Sequence, residues 1–408
     1  MTPTIAGKRI LIVSMTTWGE MGNWLSGKSL AGALARLAPD ADVQIEPAES
    51  LIPRFAVVGA AIKEATTASG SPDERFARYS EVLRNLETVL PSGFEQDPRA
   101  FPELAQELEP LRARIAGQPP DLVIGTKGVI CRMLAAALRL AGLARPIVNY
   151  VTNHGHFQFA VHDCPDAALH LVRFPEGADY LRRARGWPLE SMRVIGYLIA
   201  AQQLGSVSAA ATEESGGTRS LIIVSNRGGR EYVEIVRALL RFGDTIEVTF
   251  VAINDEPLCA AAQEAIGAAG IRNWRTVTKL TQPEFFQLLA QARSRGICGL
   301  VSKASPNSIF EAAYFGLPMF LFRTGLPMEE WGSEIVIREG LGFVAETLED
   351  MIANVTGALD RPTSLQEIRA REIAFAQRYL DQKDTIARIS AALGEALDGA
   401  VQAKGSAG

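Results

Sequence analysis

The sequence predicts an α/β protein of two Rossmann-like domains with parallel sheets. Two segments carry this prediction, because Arg9–Ser14 and residues 220–224 are each a short apolar strand that runs into a polar loop and then a helix. Length is the third observation, since 408 residues exceed the size at which one core stops growing. We therefore expect residues 1–200 and 219–365 to form the two domains.

Two further regions complete this division of the chain. Residues 201–218 are small and polar, with little to bury, which is typical of a linker. Residues 366–400 show the amphipathic pattern of C-terminal helices.

Composition excludes several classes of protein. Apolar residues make up 47% of the chain and charged residues 21%, as in ordinary globular proteins, and the formal net charge of −5 comes without a dense Lys/Arg block. The four cysteines lie far apart without a CxxC pair, which indicates thiols in a reducing compartment. No apolar run reaches about 18 residues, and the N-terminus lacks a cleavage site. We expect a cytoplasmic protein with no nucleic-acid partner and no strong membrane anchor, and the pattern leaves its oligomeric state open.

The first domain continues its parallel pattern with polar residues at strand ends. After the loop at residues 15–23 come a helix and a strand, and residues 119–128 form a loop and strand that end in a Gly/Lys turn. Thr126 and Lys127 lie at this strand end, and Asn153 follows the next strand. Carboxyl ends of strands in such sheets face the ligand crevice.

All four histidines fall in one span, His154, His156, His162 and His170, directly after the strand that precedes Asn153. A catalytic or acceptor-binding role is one interpretation. A metal site is another, with His154, His156, His162 and Asp163 as its ligands, although the spacing matches no known zinc pattern. Structural histidines are the third, and the sequence leaves the three open.

The stretch from residue 298 to 344 organises the second domain. An apolar strand breaks into a polar loop, a helix carrying Glu311 follows, and a Gly-Leu-Pro stop precedes a second apolar strand, which is the parallel βαβ pattern. Ser305 is suited to cap the helix, with Pro306 at its first position. The helix start then offers backbone N–H groups to an anion, and phosphate is the expected ligand.

These residues resemble the nucleotide-sugar motif of GT-B glycosyltransferases, and the chain is similar to the family 28-like lipid II N-acetylglucosaminyltransferases and monogalactosyldiacylglycerol synthases. The resemblance implies two Rossmann-like domains facing across a cleft, with the C-terminal helix crossing back to the first domain through Phe375, Tyr379 and Ile386. The matching segments are Ser302-Lys303-Ala304, Ser305-Pro306-Asn307-Ser308, Glu311-Ala312-Ala313 and Gly316-Leu317-Pro318.

The resemblance also implies the donor site. Glu311 holds the ribose of UDP, the capped loop holds the diphosphate, and a Gly-containing turn meets the diphosphate from the other side. Acidic residues in a polar loop after the second strand read sugar hydroxyls, and we interpret Arg323 as a contact to an anionic sugar or a phosphate. The family works without a bound metal or cofactor. The implied donor-binding residues are Asn226, Arg227, Gly228, Gly229, Lys303, Ser305, Asn307, Ser308, Glu311, Glu329 and Glu330.

The general base departs from the family pattern. In the resembling enzymes the first loop ends in a His, and that position falls at Asn23, which has no basic side chain. Glu20 in the same loop is one candidate, because apolar neighbours raise the pKa of a carboxyl group. His154 and His156 are its rivals. The acceptor-binding candidates are Trp18, Asn23, Thr126, Lys127, Asn153 and His162.

These features predict an inverting UDP-sugar-dependent glycosyltransferase that transfers a hexosyl or uronosyl group. The favoured acceptor is a small soluble molecule, such as a secondary metabolite or a nucleobase-like compound, because the loop His of the lipid enzymes is missing. Three alternatives remain: a glycolipid synthase at a membrane surface, a UDP-sugar 2-epimerase, and a UDP-sugar-binding subunit of a larger enzyme.

Overall fold

The computed structural model describes two compact units. Within the described residues, the strands form two six-stranded sheets in which every neighbouring pair is parallel. One unit comprises residues 1–203 and 382–408, and the other comprises residues 204–381. The predicted α/β class with two Rossmann-like units is confirmed. The described residues are 5–16, 22–67, 72–152, 163–199, 219–225, 229–253, 255–294, 296, 298–323 and 327–405.

The first unit alternates strands and helices and adds a helical insertion. Its strands are β1 (Arg9–Ser14), β2 (Asp42–Pro47), β3 (Leu122–Gly125), β4 (Ile147–Tyr150), β5 (Leu169–Val172) and β6 (Met192–Val194). Its helices are α1 (Gly22–Leu37), α2 (Ala48–Leu51), α3 (Pro53–Thr67), α4 (Pro72–Val89), α5 (Pro102–Glu107), α6 (Glu109–Gly117), α7 (Gly128–Leu140) and α8 (Pro175–Arg185), with short 3-10 turns at Pro98–Ala100 and Leu189–Ser191.

The sheet of the first unit runs in the order β2-β1-β3-β4-β5-β6. β1 lies between β2 and β3, and its inward residues Ile10 and Ile12 are fully buried, as expected for a strand covered on both faces. The carboxyl ends of all these strands meet at one edge. The described residues that directly follow β1, β3, β4 and β5 therefore lie at this edge.

The second unit repeats this plan. Its strands are β7 (Arg219–Ser225), β8 (Ile246–Ala252), β9 (Arg275–Val277), β10 (Cys298–Lys303), β11 (Met319–Phe322) and β12 (Gly342–Ala345). Its helices are α9 (Glu231–Leu239), α10 (Glu256–Ala268), α11 (Gln282–Ser294), α12 (Pro306–Phe315), α13 (Pro327–Glu339), α14 (Leu348–Asp360) and α15 (Pro362–Tyr379), with a 3-10 segment at Leu240–Thr245.

β10 lies at the centre of the second sheet, whose order is β12-β11-β10-β7-β8-β9. A Cβ atom at Gly299 would come within 2.9 Å of the Leu221 and Phe320 side chains, so the absence of a side chain lets the three strands pack closely. α12 ends at Gly316, which adopts a left-handed conformation with φ of 65°. The predicted β-loop-α-β order is thus confirmed here.

The C-terminal helices divide between the two units. α15 stays in the second unit, where the Phe375 ring stacks on Phe310 with centroids 6.2 Å apart and Tyr379 packs on Phe375. The expectation that Phe375 and Tyr379 pack on the first unit is therefore wrong. Helix α16 (Gln382–Gly405) belongs to the first unit, where Ile386 and the buried Ile389 pack against its core. The C-terminal segment that belongs to the first unit therefore begins at residue 382 rather than at residue 366.

Two other expectations concern the linker and the membrane. The predicted linker at residues 201–218 lies outside the described residues. Along the described part of the chain, no helix combines the length and apolar character that crossing a bilayer requires.

Candidate functional site

The N-terminus of α12 forms the start of the candidate site. Ser305 has the extended conformation of an N-cap, and its hydroxyl oxygen accepts a hydrogen bond from the Ser308 backbone N–H at 3.4 Å. The two hydroxyl oxygens are 2.8 Å apart. Pro306 occupies the first helical turn, where its missing N–H breaks no intrahelical bond. The predicted cap is confirmed, and the positive end of the helix dipole lies directly after the carboxyl end of β10.

Glu311 lies in the second turn of α12, on a half-buried stripe that also holds Asn307 and Tyr314. The residue keeps part of its surface exposed, yet burial raises the pKa of its carboxyl group to about 8. Within the described part of the chain, no hydrogen-bond donor or cation is paired with this carboxyl. Its hydrogen-bonding capacity is therefore available to a ligand.

Two other predicted donor residues lie at the same edge of the second sheet. Lys303 is the last residue of β10 and is half-buried. Gly229 follows β7 and directly precedes the turn into α9, where its carbonyl accepts a hydrogen bond from the Tyr232 N–H at 3.1 Å. Because β7 and β10 are parallel neighbours, both residues lie at the edge where α12 begins.

Pro327–Glu339 form a helix, α13, where a polar loop is predicted. Just before it, Arg323 Nε lies 2.8 Å from Glu330 Oε2, and Arg323 Nη1 lies 2.6 Å from Glu346 Oε1. These two carboxylates neutralise the guanidinium group, and the interpretation of Arg323 as a contact to a sugar or phosphate stays a prediction. Of the two acidic residues that are predicted to bind sugar hydroxyls, Glu330 is the ion-pair partner of Arg323. The side chain of the other, Glu329, lies outside the described residues.

A buried polar network occupies the carboxyl edge of the first sheet. The Thr126 hydroxyl donates to the Ser14 hydroxyl at 3.0 Å, and the Ser14 hydroxyl donates to the Asn23 carbonyl at 3.0 Å. The Thr152 hydroxyl lies 2.5 Å from Asn23 Oδ1 and 3.1 Å from the Thr126 carbonyl. Asn23 and Thr126 are predicted site residues. Ser14 and Thr152 are additional members, and their position at strand ends is the signal that identifies them.

Lys127 continues this edge. It lies two residues after the end of β3, directly precedes α7, and is 7% exposed. Burial disfavours its charged form and lowers the pKa of its ammonium group to about 8. Lys127 is therefore a buried basic side chain at a strand end of the first sheet.

His170 and Asp163 lie near the amino end of β5, away from this edge. The His170 ring stacks on Trp187 with centroids 4.2 Å apart, and its Nδ1 lies 3.1 Å from Asn149 Nδ2. Burial lowers the pKa of His170 to about 4, so the ring is neutral at pH 7. Asp163 accepts hydrogen bonds from Arg185 and from Trp187 Nε1. Both side chains have partners within the first unit. The Asp163 carboxylate is occupied by these hydrogen bonds, which argues against Asp163 as a metal ligand.

Several predicted residues lie outside the described part of the chain, among them all three candidates for the general base. Within the described residues, no group of three or more His, Cys, Asp or Glu side chains is arranged to hold a metal ion. The roles of the following residues stay predictions: Trp18, Glu20, Asn153, His154, His156, His162, Asn226, Arg227 and Gly228.

No family model and no curated protein matches the sequence. Solved structures match nearly its whole length. HepE of Anabaena, in complex with UDP and glucose, is 15% identical with a TM-score of 0.53, and the match covers 95% of this chain and 99% of that chain. UDP-GlcNAc 2-epimerase from Neisseria meningitidis, bound to UDP-GlcNAc, is 11% identical with a TM-score of 0.55, and the match covers 95% of this chain and 99% of that chain. Os79 from O. sativa, in complex with a trichothecene, is 12% identical with a TM-score of 0.55, and the match covers 94% of this chain and 99% of that chain.

At these identities the likeness establishes the fold alone, and it confirms the GT-B class. The similar structures include an epimerase as well as a protein crystallised with a trichothecene. The narrower resemblance to the family 28-like enzymes stays a prediction.

Proposed function

We propose that the protein is a cytoplasmic, metal-independent, inverting glycosyltransferase that moves a hexosyl or uronosyl group from a UDP-sugar to a small soluble acceptor. One observation carries the proposal: a capped helix start and a carboxyl group with spare hydrogen-bonding capacity lie within two turns of each other on α12. From Ser305 to Glu311 the helix rises about 9 Å, which suits a diphosphate at the helix start and a ribose beside the carboxyl. The similarity to structures that hold UDP or UDP-GlcNAc supports a uridine nucleotide.

The proposed reaction assigns a task to each unit. A base on the first unit, Glu20, His154 or His156, removes the proton of the acceptor hydroxyl. The acceptor oxygen then bonds to the anomeric carbon from the face opposite the diphosphate, and the bond from that carbon to the diphosphate oxygen breaks. UDP leaves with the electron pair. The start of α12 and Lys303 stabilise the charge that develops on the diphosphate.

A calorimetric panel tests the donor assignment. UDP, GDP, ADP and TDP are titrated separately into the protein without added metal. We expect UDP to bind selectively, and Glu311→Ala to weaken its binding by roughly 1.5–3 kcal/mol, because a charged hydrogen-bond acceptor is lost. Equal binding of all four nucleotides, or unchanged UDP affinity in the variant, would contradict the assignment.

One alternative has a specific observation in its favour. The similarity to UDP-GlcNAc 2-epimerase fits the same donor site without an acceptor. NMR of UDP-GlcNAc incubated with the protein separates the two activities. Formation of a C2 isomer in the absence of any acceptor supports the epimerase, whereas UDP release that requires an acceptor supports the transferase.

A further inference from the structure

Arg173 is a buried cation that the donor site does not use. It directly follows β5 at the carboxyl edge of the first sheet and is 2% exposed. Its Nη2 lies 2.7 Å from the Ser26 hydroxyl and 3.5 Å from the Tyr150 hydroxyl, and its guanidinium carbon lies 4.5 Å from the Tyr197 ring centre. Its Nε is buried without a hydrogen-bond partner, as is the Nε of Arg132, but no carboxylate of the described residues is paired with Arg173.

Arg132 shows how the same unit neutralises a buried guanidinium group that has a structural role. Arg132 on α7 is 8% exposed, and its Nη2 lies 3.1 Å from Glu95 Oε2, on a residue that is itself 5% exposed. A charge that loses its hydration without a counter-ion is costly, and a carboxylate offsets that cost. Arg173 has hydroxyl groups and aromatic faces in place of a carboxylate, so an anionic ligand would complete its surroundings.

A chain of contacts links Arg173 to a second buried cation, Lys127. Arg173 donates to Ser26 on α1, and Asn23, one turn earlier on α1, belongs to the buried network that reaches Thr126, the neighbour of Lys127. The two cations follow β5 and β3, which flank β4, so their strands are about 10 Å apart. The helices α1 and α7 also begin at this edge, and their dipoles add positive potential.

We propose that the carboxyl edge of the first sheet binds an oxyanion of the acceptor, a carboxylate or a phosphate, between Lys127 and Arg173. The planar guanidinium fork matches both groups in a bidentate manner, and the ammonium group adds a point charge. The identification of the ligand as the acceptor rests on the proposed function, whereas the anion site itself rests on the two cations. The acceptor search then narrows to acids and phosphate esters.

The test uses the protein saturated with UDP, into which inorganic phosphate and acetate are titrated separately. Thermal stabilisation and the NMR line width of each anion report binding. The variants are Lys127→Gln and Arg173→Gln, with Arg173→Lys as a charge-preserving substitute and circular dichroism as a check of folding. Arg139→Gln is the matched control, because it removes the same charge from an exposed position near the far end of α7.

We expect one of the two anions to bind equally well to the wild type and to Arg139→Gln, and at least about tenfold more weakly to Lys127→Gln and Arg173→Gln. The anion that binds identifies the group as a phosphate or a carboxylate. If neither anion binds the wild type, or if binding is the same in all variants, the inference is wrong.

Two further arms separate the claims. The anion titrations are repeated without UDP. If the protein fails to bind UDP but still binds an anion in a Lys127-dependent way, the anion site is supported and the proposed donor function is wrong. Phosphatidylglycerol vesicles are the third titrant. If the wild type floats with the vesicles and Lys127→Gln does not, the oxyanion belongs to a lipid headgroup. If the wild type binds phosphate but does not float, the oxyanion belongs to a soluble acceptor.

Discussion

Protonation of Glu311 predicts a pH dependence of UDP binding. Burial raises the pKa of this carboxyl to about 8 in the unligated protein. Two ribose hydroxyls that donate to the carboxylate stabilise its ionised form and lower its pKa in the complex. Below pH 8 binding therefore releases a proton, so affinity rises with pH and levels off above it. At about pH 6, two units below this pKa, ionisation costs about 2.7 kcal/mol, a factor of about 100 in affinity.

Calorimetry in two buffers of different ionisation enthalpy measures this effect, because it counts the protons released on binding. Glu311→Gln is the control, since the amide keeps the shape of the side chain and does not titrate. The terminal phosphate of UDP has a pKa of about 6 and contributes equally in both proteins. Affinities of wild type and Glu311→Gln that change in parallel between about pH 6 and about pH 8.5 would refute the reasoning.

Three further predictions concern the base, the metal and the fold. We compare Glu20→Gln with His156→Ala. The variant that removes the base keeps its UDP affinity and loses turnover by a factor on the order of 100 or more. If a variant keeps full turnover, the residue it replaces is not the base. EDTA leaves turnover unchanged, and a large loss restored by a divalent cation would contradict metal independence. Glu372 on α15 is fully buried, both of its carboxyl oxygens are without a hydrogen-bond partner, and burial raises its pKa well above the usual range. Glu372→Met therefore stabilises the protein by about 1–3 kcal/mol at neutral pH. The gain in thermal unfolding shrinks toward about pH 4, because the carboxyl is then mostly protonated in the unfolded state as well as in the folded state. A destabilised variant at neutral pH would contradict this explanation.

The parts of the site that the sequence predicts are local ones. The cap at Ser305 with Pro306, and the position of Glu311 one turn later, follow from residues within seven positions of one another in a βαβ unit. The strand-end position of Thr126 is local in the same way. Capping preferences and strand periodicity act over such short distances, so a single sequence carries them.

The parts that the sequence does not predict depend on distant partners. Arg173 and Ser26 are 147 residues apart, and nothing near either residue indicates the contact. Arg323 has two carboxylate partners, one of them on α13 where a loop is expected. The amphipathic pattern of residues 366–400 is the same whichever unit buries it, which explains why Phe375 is assigned to the wrong one.

The most direct test of the central claim compares UDP with 2′-deoxy-UDP in the wild type and in Glu311→Gln. If the carboxyl of Glu311 holds the ribose, the wild type binds UDP more tightly than the deoxy nucleotide by about 1.5–3 kcal/mol, and the variant loses most of that preference. Calorimetric titrations of the four combinations give this coupling energy. Equal discrimination in both proteins, or none in the wild type, would show that α12 does not hold the ribose through Glu311.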